Sequence, residues 1–275
     1  MMRIKRSIVF TLMLLSIYIG SIYALENNIG GDVRSAAMGY VKVAEVGERL
    51  SFMNNPACFD QLKLSVTGAS TELFGTGIIY QYFETGFLVS PSWKFSMGLE
   101  KLLDQDDIDP IGYGQQHFAV GFANKVSESI QLGFGLRFEQ FKLLKQQLGK
   151  GRSLEAGVRF SLWNSRGSQL SLGFKLSNLA ALRQYGNRTE IPPLGIGIGV
   201  SGKGGPLIYS LELLEQEIRA GFEYKLSPSI ALRAGMVQGQ PTFGIGLSQG
   251  KLRLDYAYWL ADMGATHRFG STIVF

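Results

Sequence analysis

Few residues in this chain have the type and spacing that catalysis requires. His117 and His267 are its only histidines, and neither has a serine or aspartate at a spacing diagnostic of a nucleophilic triad. The stretch 197–202 matches the dinucleotide-binding pattern Gly-x-Gly-x-x-Gly. That pattern acts at the start of a helix, whereas here it alternates as a strand and no helical pattern follows. We therefore expect no enzyme, no catalytic residues and no bound cofactor.

Metal-binding chemistry is also poorly supported by the sequence. Cys58 is the single cysteine, which excludes an internal disulfide and a thiolate metal cluster. Asp104, Asp106, Asp107 and Asp109 form an acidic stretch, but it lacks the glycine and the distal glutamate of an EF-hand loop. We expect a solvated loop at these aspartates and no metal site.

The remaining polar residues lie in runs where apolar and polar residues alternate, a pattern typical of β-strands. In 130–138 the even positions are apolar and Arg137 lies on the other face, and in 154–162 Glu155 and Arg159 share the polar face. Fourteen such runs are predicted strands: 62–71, 76–89, 93–103, 115–125, 130–138, 154–162, 170–176, 194–200, 206–215, 218–226, 229–238, 241–248, 251–261 and 266–275. A count of twelve stays open, because 76–89 and 206–226 can be divided differently.

The first residues are typical of an export signal. Arg3, Lys5 and Arg6 precede the apolar run 8–19, and small residues lead to a cleavage site after Ala24. We predict that 1–24 is a cleaved signal peptide. Three of the cations behind the formal charge of +5 lie in it, and the near-balance of the rest argues against a nucleic-acid partner.

The chain ends in an amphipathic run with a terminal aromatic residue. Phe269, Ile273 and Phe275 alternate with small or polar residues, which is typical of the last strand of a bacterial outer-membrane barrel and of its assembly signal. Glycine makes up 35 of 275 residues, far above the usual share of about 7%, and recurs inside the alternating runs. We predict an all-β protein: a transmembrane antiparallel β-barrel spanning 61–275 in the bacterial outer membrane. The alternative is a soluble β-sandwich, which also alternates.

A barrel turns apolar side chains toward lipid and polar ones toward the lumen. Arg137, Glu139, Glu155 and Arg159 are therefore predicted lumen charges, and their mixed signs favour a cross-linked lumen over an ion-selective ring. Short turns alternate with longer connections at 104–114, 145–151, 180–192 and 261–266. If the longer ones lie outside the cell, Phe275 lies on the periplasmic side.

Two further placements follow from the barrel. Trp93, Trp163 and Trp259 fall near strand ends, where interfacial aromatic girdles belong. A path from lumen to lipid requires a gap in the wall, and 75–77 and Pro91 are its expected places.

Residues 25–60 precede the first strand and do not alternate. A barrel of this width is open unless something fills it, so we predict that this segment is an N-terminal hatch inside the lumen. Arg34 is expected to pair with an inward carboxylate such as Glu139 or Glu155. Whether the hatch gates the lumen or is a rigid plug stays open.

The hatch and the end of the chain resemble a known family. The residues that carry the resemblance are Gly31, Arg34, Ser35, Ala36, Ala37, Met38, Gly39, Val43, Ala44, Asn55, Pro56 and Ala57, then Asp255, Tyr256, Ala257, Gly264, His267, Arg268 and Phe275. They are similar to motifs of the PorV/PorQ family, a branch of the FadL-like outer-membrane proteins. The middle of the chain agrees only in strand pattern. Cys58 stands where the family usually has glycine, and the chain is shorter than most members.

The resemblance implies a fourteen-stranded barrel with a hatch, acting as a passive conduit for hydrophobic small molecules. For some members it implies a part in type IX-like secretion, so a component that binds exported proteins stays open, as does a closed structural barrel. The expected partners are outer-membrane lipid and lipopolysaccharide, the barrel-assembly machinery, a hydrophobic ligand and secreted cargo. Weak bridging of the acidic stretch to lipopolysaccharide by divalent ions is a further alternative.

Overall fold

The computed structural model describes residues 30–47, 50–58, 60–103, 114–143, 146–165 and 167–275. The predicted signal peptide lies outside them, as do residues 25–29 of the hatch. One short helix is described, α1 (Val33–Ala37). The strands are β1 (Leu64–Leu73), β2 (Ile78–Ser90), β3 (Trp93–Leu103), β4 (Gly114–Lys125), β5 (Ile130–Leu143), β6 (Gln146–Ser165), β7 (Ser168–Tyr185), β8 (Arg188–Glu190), β9 (Gly195–Gly204), β10 (Leu207–Leu214), β11 (Glu217–Ser227), β12 (Ile230–Val237), β13 (Gln240–Gln249), β14 (Leu252–Ala261) and β15 (Gly264–Val274).

The strands form one antiparallel sheet that closes on itself. β1 pairs with β2 on one side and with β15 on the other, from Ser65 opposite Val274 to Glu72 opposite His267. β7 pairs with both β6 and β9, while β8 pairs with the end of β7. Fourteen strands therefore close the barrel and β8 is an addition outside the ring. The predicted fold and strand number are confirmed.

The polarity of the barrel is that of a membrane protein. Outward side chains such as Phe134 are exposed, whereas inward Glu155, Arg159 and Arg219 are buried. A soluble sandwich would bury the apolar face instead, so the alternative is wrong. Within the described ranges, no helix is long and apolar enough to cross a membrane.

The barrel has two rims that differ in their connections. The C-terminal rim carries the start of β1 and the end of β15, and most turns there are tight, such as 91–92, 205–206, 228–229 and 250–251. The opposite rim was predicted to carry the four long loops. In the first of these loops, residues 104–113 lie outside the residues that the structure describes.

Three predicted loops at the opposite rim are wrong. β6 already begins at Gln146, β7 continues to Tyr185 and is followed by β8, and only residues 262–263 separate β14 from β15. The strands continue past the point where the alternation of the sequence stops. Once a strand leaves lipid, its outward residues no longer need to be apolar, although the ladder of hydrogen bonds persists.

The expected gaps in the wall are also wrong. Residues 75–77 form the β1–β2 turn, and the ladder beneath is complete from Leu64 opposite Phe87 to Leu73 opposite Ile78. Pro91 lies in the β2–β3 turn. The irregular stretch of wall is instead at β7, where Asn178 and Ala180 have positive φ angles and the pairing with β9 stops at Ser177 opposite Gly195.

Candidate functional site

The described residues of the hatch lie inside the barrel and include α1. Asp32 caps this helix, accepting a hydrogen bond from the Ser35 amide at 3.0 Å. The apolar side of the hatch packs against the inner wall of the strands from β12 to β15. The members of this cluster are Val33, Ala36, Ala37, Tyr40, Val237, Ala257, Trp259 and Ala261.

A belt of inward-facing glycines forms the socket for the hatch. A Cβ on Gly133 would lie 2.0 Å from the carbonyl group of Pro56, and one on Gly221 would lie 2.1 Å from the carbonyl oxygen of Met38. Ten of the fourteen barrel strands contribute a glycine against the hatch: Gly98, Gly121, Gly133, Gly157, Gly173, Gly197, Gly199, Gly221, Gly235, Gly244 and Gly270. At Gly133, Gly173, Gly221 and Gly235 the wall packs directly on hatch backbone, and at the others mainly on hatch side chains. This packing accounts for part of the excess of glycine in the sequence.

Carboxylates of the wall accept hydrogen bonds from the hatch backbone. Glu212 accepts from the amides of Lys42 and Val43, each at 2.7 Å. Glu84 accepts from the Phe52 amide at 3.0 Å, and Glu100 from the Gly31 amide at 3.1 Å. Hatch amides that no helix or strand satisfies thus find buried charged acceptors, which make strong hydrogen bonds.

Arg34 joins the hatch to an ion-pair network of the wall. Its Nε lies 2.9 Å from Glu223 Oε2, which also binds Arg233 at 2.7 Å, and Arg233 binds Asp255 at 2.8 Å. The predicted pairing with Glu139 or Glu155 is wrong, because α1 packs on the opposite side of the lumen from β5 and β6. Burial alone would lower the pKa of Arg34, but Glu223 and Glu45 raise it above its usual value.

Asn55 fastens two parts of the hatch together. Its Nδ2 donates to the Val43 carbonyl at 2.6 Å and its Oδ1 accepts from the Ala57 amide at 2.9 Å. Pro56 follows Asn55 in the chain, and its carbonyl group packs on Gly133. The motif 55–57 thus closes the hatch on itself and on β5.

Two carboxyl groups of the hatch, buried Glu45 and half-buried Asp32, share one amide. Asn54 Nδ2 donates to Asp32 at 2.6 Å and to Glu45 at 2.9 Å. Burial and the nearby Asp32 raise the pKa of Glu45 to about 8. Burial also acts to raise the pKa of Asp32, but hydrogen bonds from Ser35 and the charge of Arg34 outweigh it and lower that pKa.

The lumen beyond the hatch is cross-linked by charges. Arg137 lies 3.0 Å from Glu155 and 3.7 Å from Glu100. Glu139 binds Arg183 at 2.6 Å. Arg159 donates to Gln131 at 2.8 Å and to Ser171 at 3.2 Å. The four residues predicted as lumen charges all face inward, and each is held by a neighbour in the wall.

Three aromatic rings form an apolar column within this charged lumen. Trp259 lies 5.6 Å from Tyr40 of the hatch and 5.8 Å from Phe74 of the β1–β2 turn, both edge-on. Such pairs stabilise by about 0.5–1.5 kcal/mol beyond their buried area. Trp259 is therefore buried, and its predicted place in an interfacial girdle is wrong. Its Nε1–H finds no acceptor among the described residues.

One crevice remains between the described part of the hatch and the wall. It has a volume of about 30 Å³ and lies between Arg34, Ser51 and the inner faces of β1, β2, β14 and β15. A space of this size holds a few water molecules at most.

Comparison with solved structures relates this geometry to known barrels. The toluene transporter TbuX of Ralstonia pickettii aligns over 89% of this chain and 97% of its own, with a TM-score of 0.57 and 12% identity. The toluene transporter TodX of Pseudomonas putida gives 0.58, 10% identity and the same coverage. A FadL homologue of Pseudomonas aeruginosa gives 0.57 and 10% identity over 89% of this chain and 98% of its own. The chain has the FadL-like fold. No family pattern and no curated protein matches its sequence.

The FadL-like barrel also places the predicted assembly signal. Phe269, Ile273 and Phe275 are exposed on the outer surface, and the Phe275 amide donates to the Leu64 carbonyl at 2.9 Å. The terminal residue is thus tied to the start of β1.

The sequence did not identify Glu84, Glu212 or Trp259 as residues of the site. Each stands alone at one inward position of its strand, without a neighbouring motif. The available signal was the parity of the strands, which places all three on the inner face.

Proposed function

We propose that the protein is a passive conduit for hydrophobic small molecules in the bacterial outer membrane, with its C-terminal rim toward the periplasm. The aromatic column of Phe74, Trp259 and Tyr40 carries this proposal, because it is an apolar path in an otherwise ion-paired lumen. Two barrels of the same fold are described as toluene transporters. A planar apolar molecule suits such a column, since aromatic rings pack edge-on or offset.

Phe74 is the outermost ring of the column. It has a φ of 56°, uncommon for a residue with a side chain, and its amide donates to Thr266 at 3.1 Å. An entering aromatic molecule would take the place of the Phe74 ring against Trp259. Hatch backbone packs directly on glycines of the wall, so the molecule does not pass between hatch and wall. It leaves through the wall instead, and the proposed exit is the irregular stretch of β7.

Tryptophan fluorescence tests whether a small aromatic molecule reaches the column. In a variant with Trp93→Phe and Trp163→Phe, Trp259 is the remaining tryptophan. Bromobenzene, whose heavy atom quenches an indole on contact, should quench its emission with saturation. A matched variant that keeps Trp93, which is exposed on the outer surface, should show quenching that rises without saturation. Unsaturable or absent quenching of Trp259 contradicts the proposal.

The narrower kinship with PorV/PorQ proteins, and with it a part in protein secretion, is the second candidate. β6 and β7 have 20 and 18 residues, against 10 and 8 in β9 and β10. Their extension is a surface that can bind an exported protein. If it does, removal of 184–190, which takes away the paired ends of β7 and β8 and leaves the irregular stretch at 178–180 in place, should abolish capture of cargo while toluene uptake by cells persists. Loss of uptake with intact capture would contradict this candidate.

A further inference from the structure

Three cations lie together on the outward face of β5 and β6 near the opposite rim. Lys142, Lys150 and Arg152 are exposed. Gln140 pairs with Lys150, and Phe138 pairs with Arg152. Lys142 is two residues from Gln140 on β5, and Arg152 is two residues from Lys150 on β6. Neighbouring members of the cluster are therefore about 7–8 Å apart.

Among the residues that the structure describes, no carboxylate neutralises this cluster. In the described ranges, no acid lies within ion-pair distance of Lys142, Lys150 or Arg152. The described acids in the strands from β2 to β6 all face the lumen: Glu84, Glu100, Glu139 and Glu155. Like charges at this spacing repel, so an anion from outside the chain would stabilise the surface.

The cluster lies where the apolar surface of the two strands ends. Below Lys142, β5 presents Phe138, Leu136 and Phe134 outward, and below Arg152, β6 presents Leu154. A tilted strand crosses the hydrocarbon with about 9–11 residues, which the apolar runs of β5 and β6 match. The cations are therefore at the depth of lipid headgroups.

The other side of the barrel lacks an equivalent cluster. From β9 to β15, the described lysines and arginines face the lumen or lie toward the C-terminal rim: Lys203, Arg219, Lys225, Arg233, Lys251, Arg253 and Arg268. The cluster is thus a one-sided feature rather than a girdle around the rim.

We propose that Lys142, Lys150 and Arg152 bind the phosphate groups of lipopolysaccharide, whose acyl chains lie on Phe134, Phe138 and Leu154. The guanidinium of Arg152 can hold a phosphate with two hydrogen bonds, while the lysines act as point charges. This inference rests on the outer-membrane placement in the proposed function, but not on transport.

The test is titration of the detergent-solubilised protein with bisphosphorylated lipid A, followed by native mass spectrometry. Each cation near an anionic lipid surface contributes about 1 kcal/mol, so Lys142→Gln, Lys150→Gln and Arg152→Gln together should weaken binding about a hundredfold. The matched control is Lys63→Gln, Lys225→Gln and Lys251→Gln, which removes the same charge near the C-terminal rim. It should bind lipid A as the native chain does.

Three outcomes would overturn the proposal. Equal weakening in both triple variants would show a general charge effect, and equal binding of dephosphorylated lipid A would show apolar contact alone. Full competition by inorganic phosphate would show a site for a soluble anion. Arg152→Lys, which keeps the charge, controls for folding and should retain more affinity than Arg152→Gln. Bromobenzene quenching of Trp259 is independent of these results, so failure of the conduit and failure of the lipid site are distinguishable.

Discussion

Glu45 is a buried carboxyl group of the hatch that forms no ion pair within the described residues. Asn54, which it shares with Asp32, and the Ser51 backbone donate hydrogen bonds to it, and the charge of Arg34 partly opposes the rise of its pKa. Its pKa of about 8 lies above the usual 4.5, so the folded protein holds this proton more tightly than the unfolded chain. The stability that the protonated group contributes is complete below about pH 4.5 and is lost as the pH rises toward 8.

Glu45→Gln should remove this pH dependence. Glutamine has the same shape as glutamic acid and is neutral at every pH. Between pH 5 and 8 the free energy of unfolding of the native chain should therefore fall, relative to that of the variant, by up to about 1.4 kcal/mol per pH unit. Urea unfolding from liposomes at several pH values measures the difference. Lys42, whose pKa burial lowers to about 7, titrates in both proteins and cancels. Glu128→Gln, in an exposed turn, should run parallel to the native chain; a parallel curve for Glu45→Gln contradicts the prediction.

At the scale of elements, the glycine belt makes wall and hatch one packed unit. Gly133 and Gly68 give a matched pair of positions, because both lie within strands and neither has a positive φ angle. Gly133 faces the Pro56 carbonyl, whereas a Cβ on Gly68 would meet nothing within 4 Å.

Gly133→Ala should therefore displace the hatch, since neither backbone can yield as a flexible side chain would. Overpacking of this kind costs about 1–3 kcal/mol or more, and Gly68→Ala should cost less than about 0.5 kcal/mol. Hydrogen exchange of the amides in 31–58 reports on the hatch, and the heat-modifiable gel shift reports on the barrel. Equal protection of the hatch in both variants would show that the belt is not its socket.

The strands were predictable because lipid imposes a period of two on their outward residues. Beyond the lipid, outward residues no longer need to be apolar. The alternation therefore did not predict that β6 continues through Lys150 and Arg152. The lumen charges could be assigned to a face by parity, but not to partners. Arg34 and Glu223 are 189 residues apart, and their meeting depends on which part of the wall α1 packs against.

At the scale of the whole molecule, the described residues of the hatch occupy the lumen and engage the inward carboxylates of the wall. Glu84, Glu100, Glu212 and Glu223 all bind hatch atoms. Without the hatch these charges would face an empty lumen, and a barrel of fourteen strands approaches the width at which porins hold an aqueous channel.

Removal of 25–58 should therefore turn a closed barrel into an ion-conducting one. Planar-bilayer recordings should show stepwise openings for the shortened chain and none for the full-length protein. Addition of a synthetic peptide of residues 25–60 should close the channel again, because the glycine belt and the wall carboxylates remain in place to receive it. A folded barrel that stays non-conducting after the removal would show that the wall closes the lumen by itself.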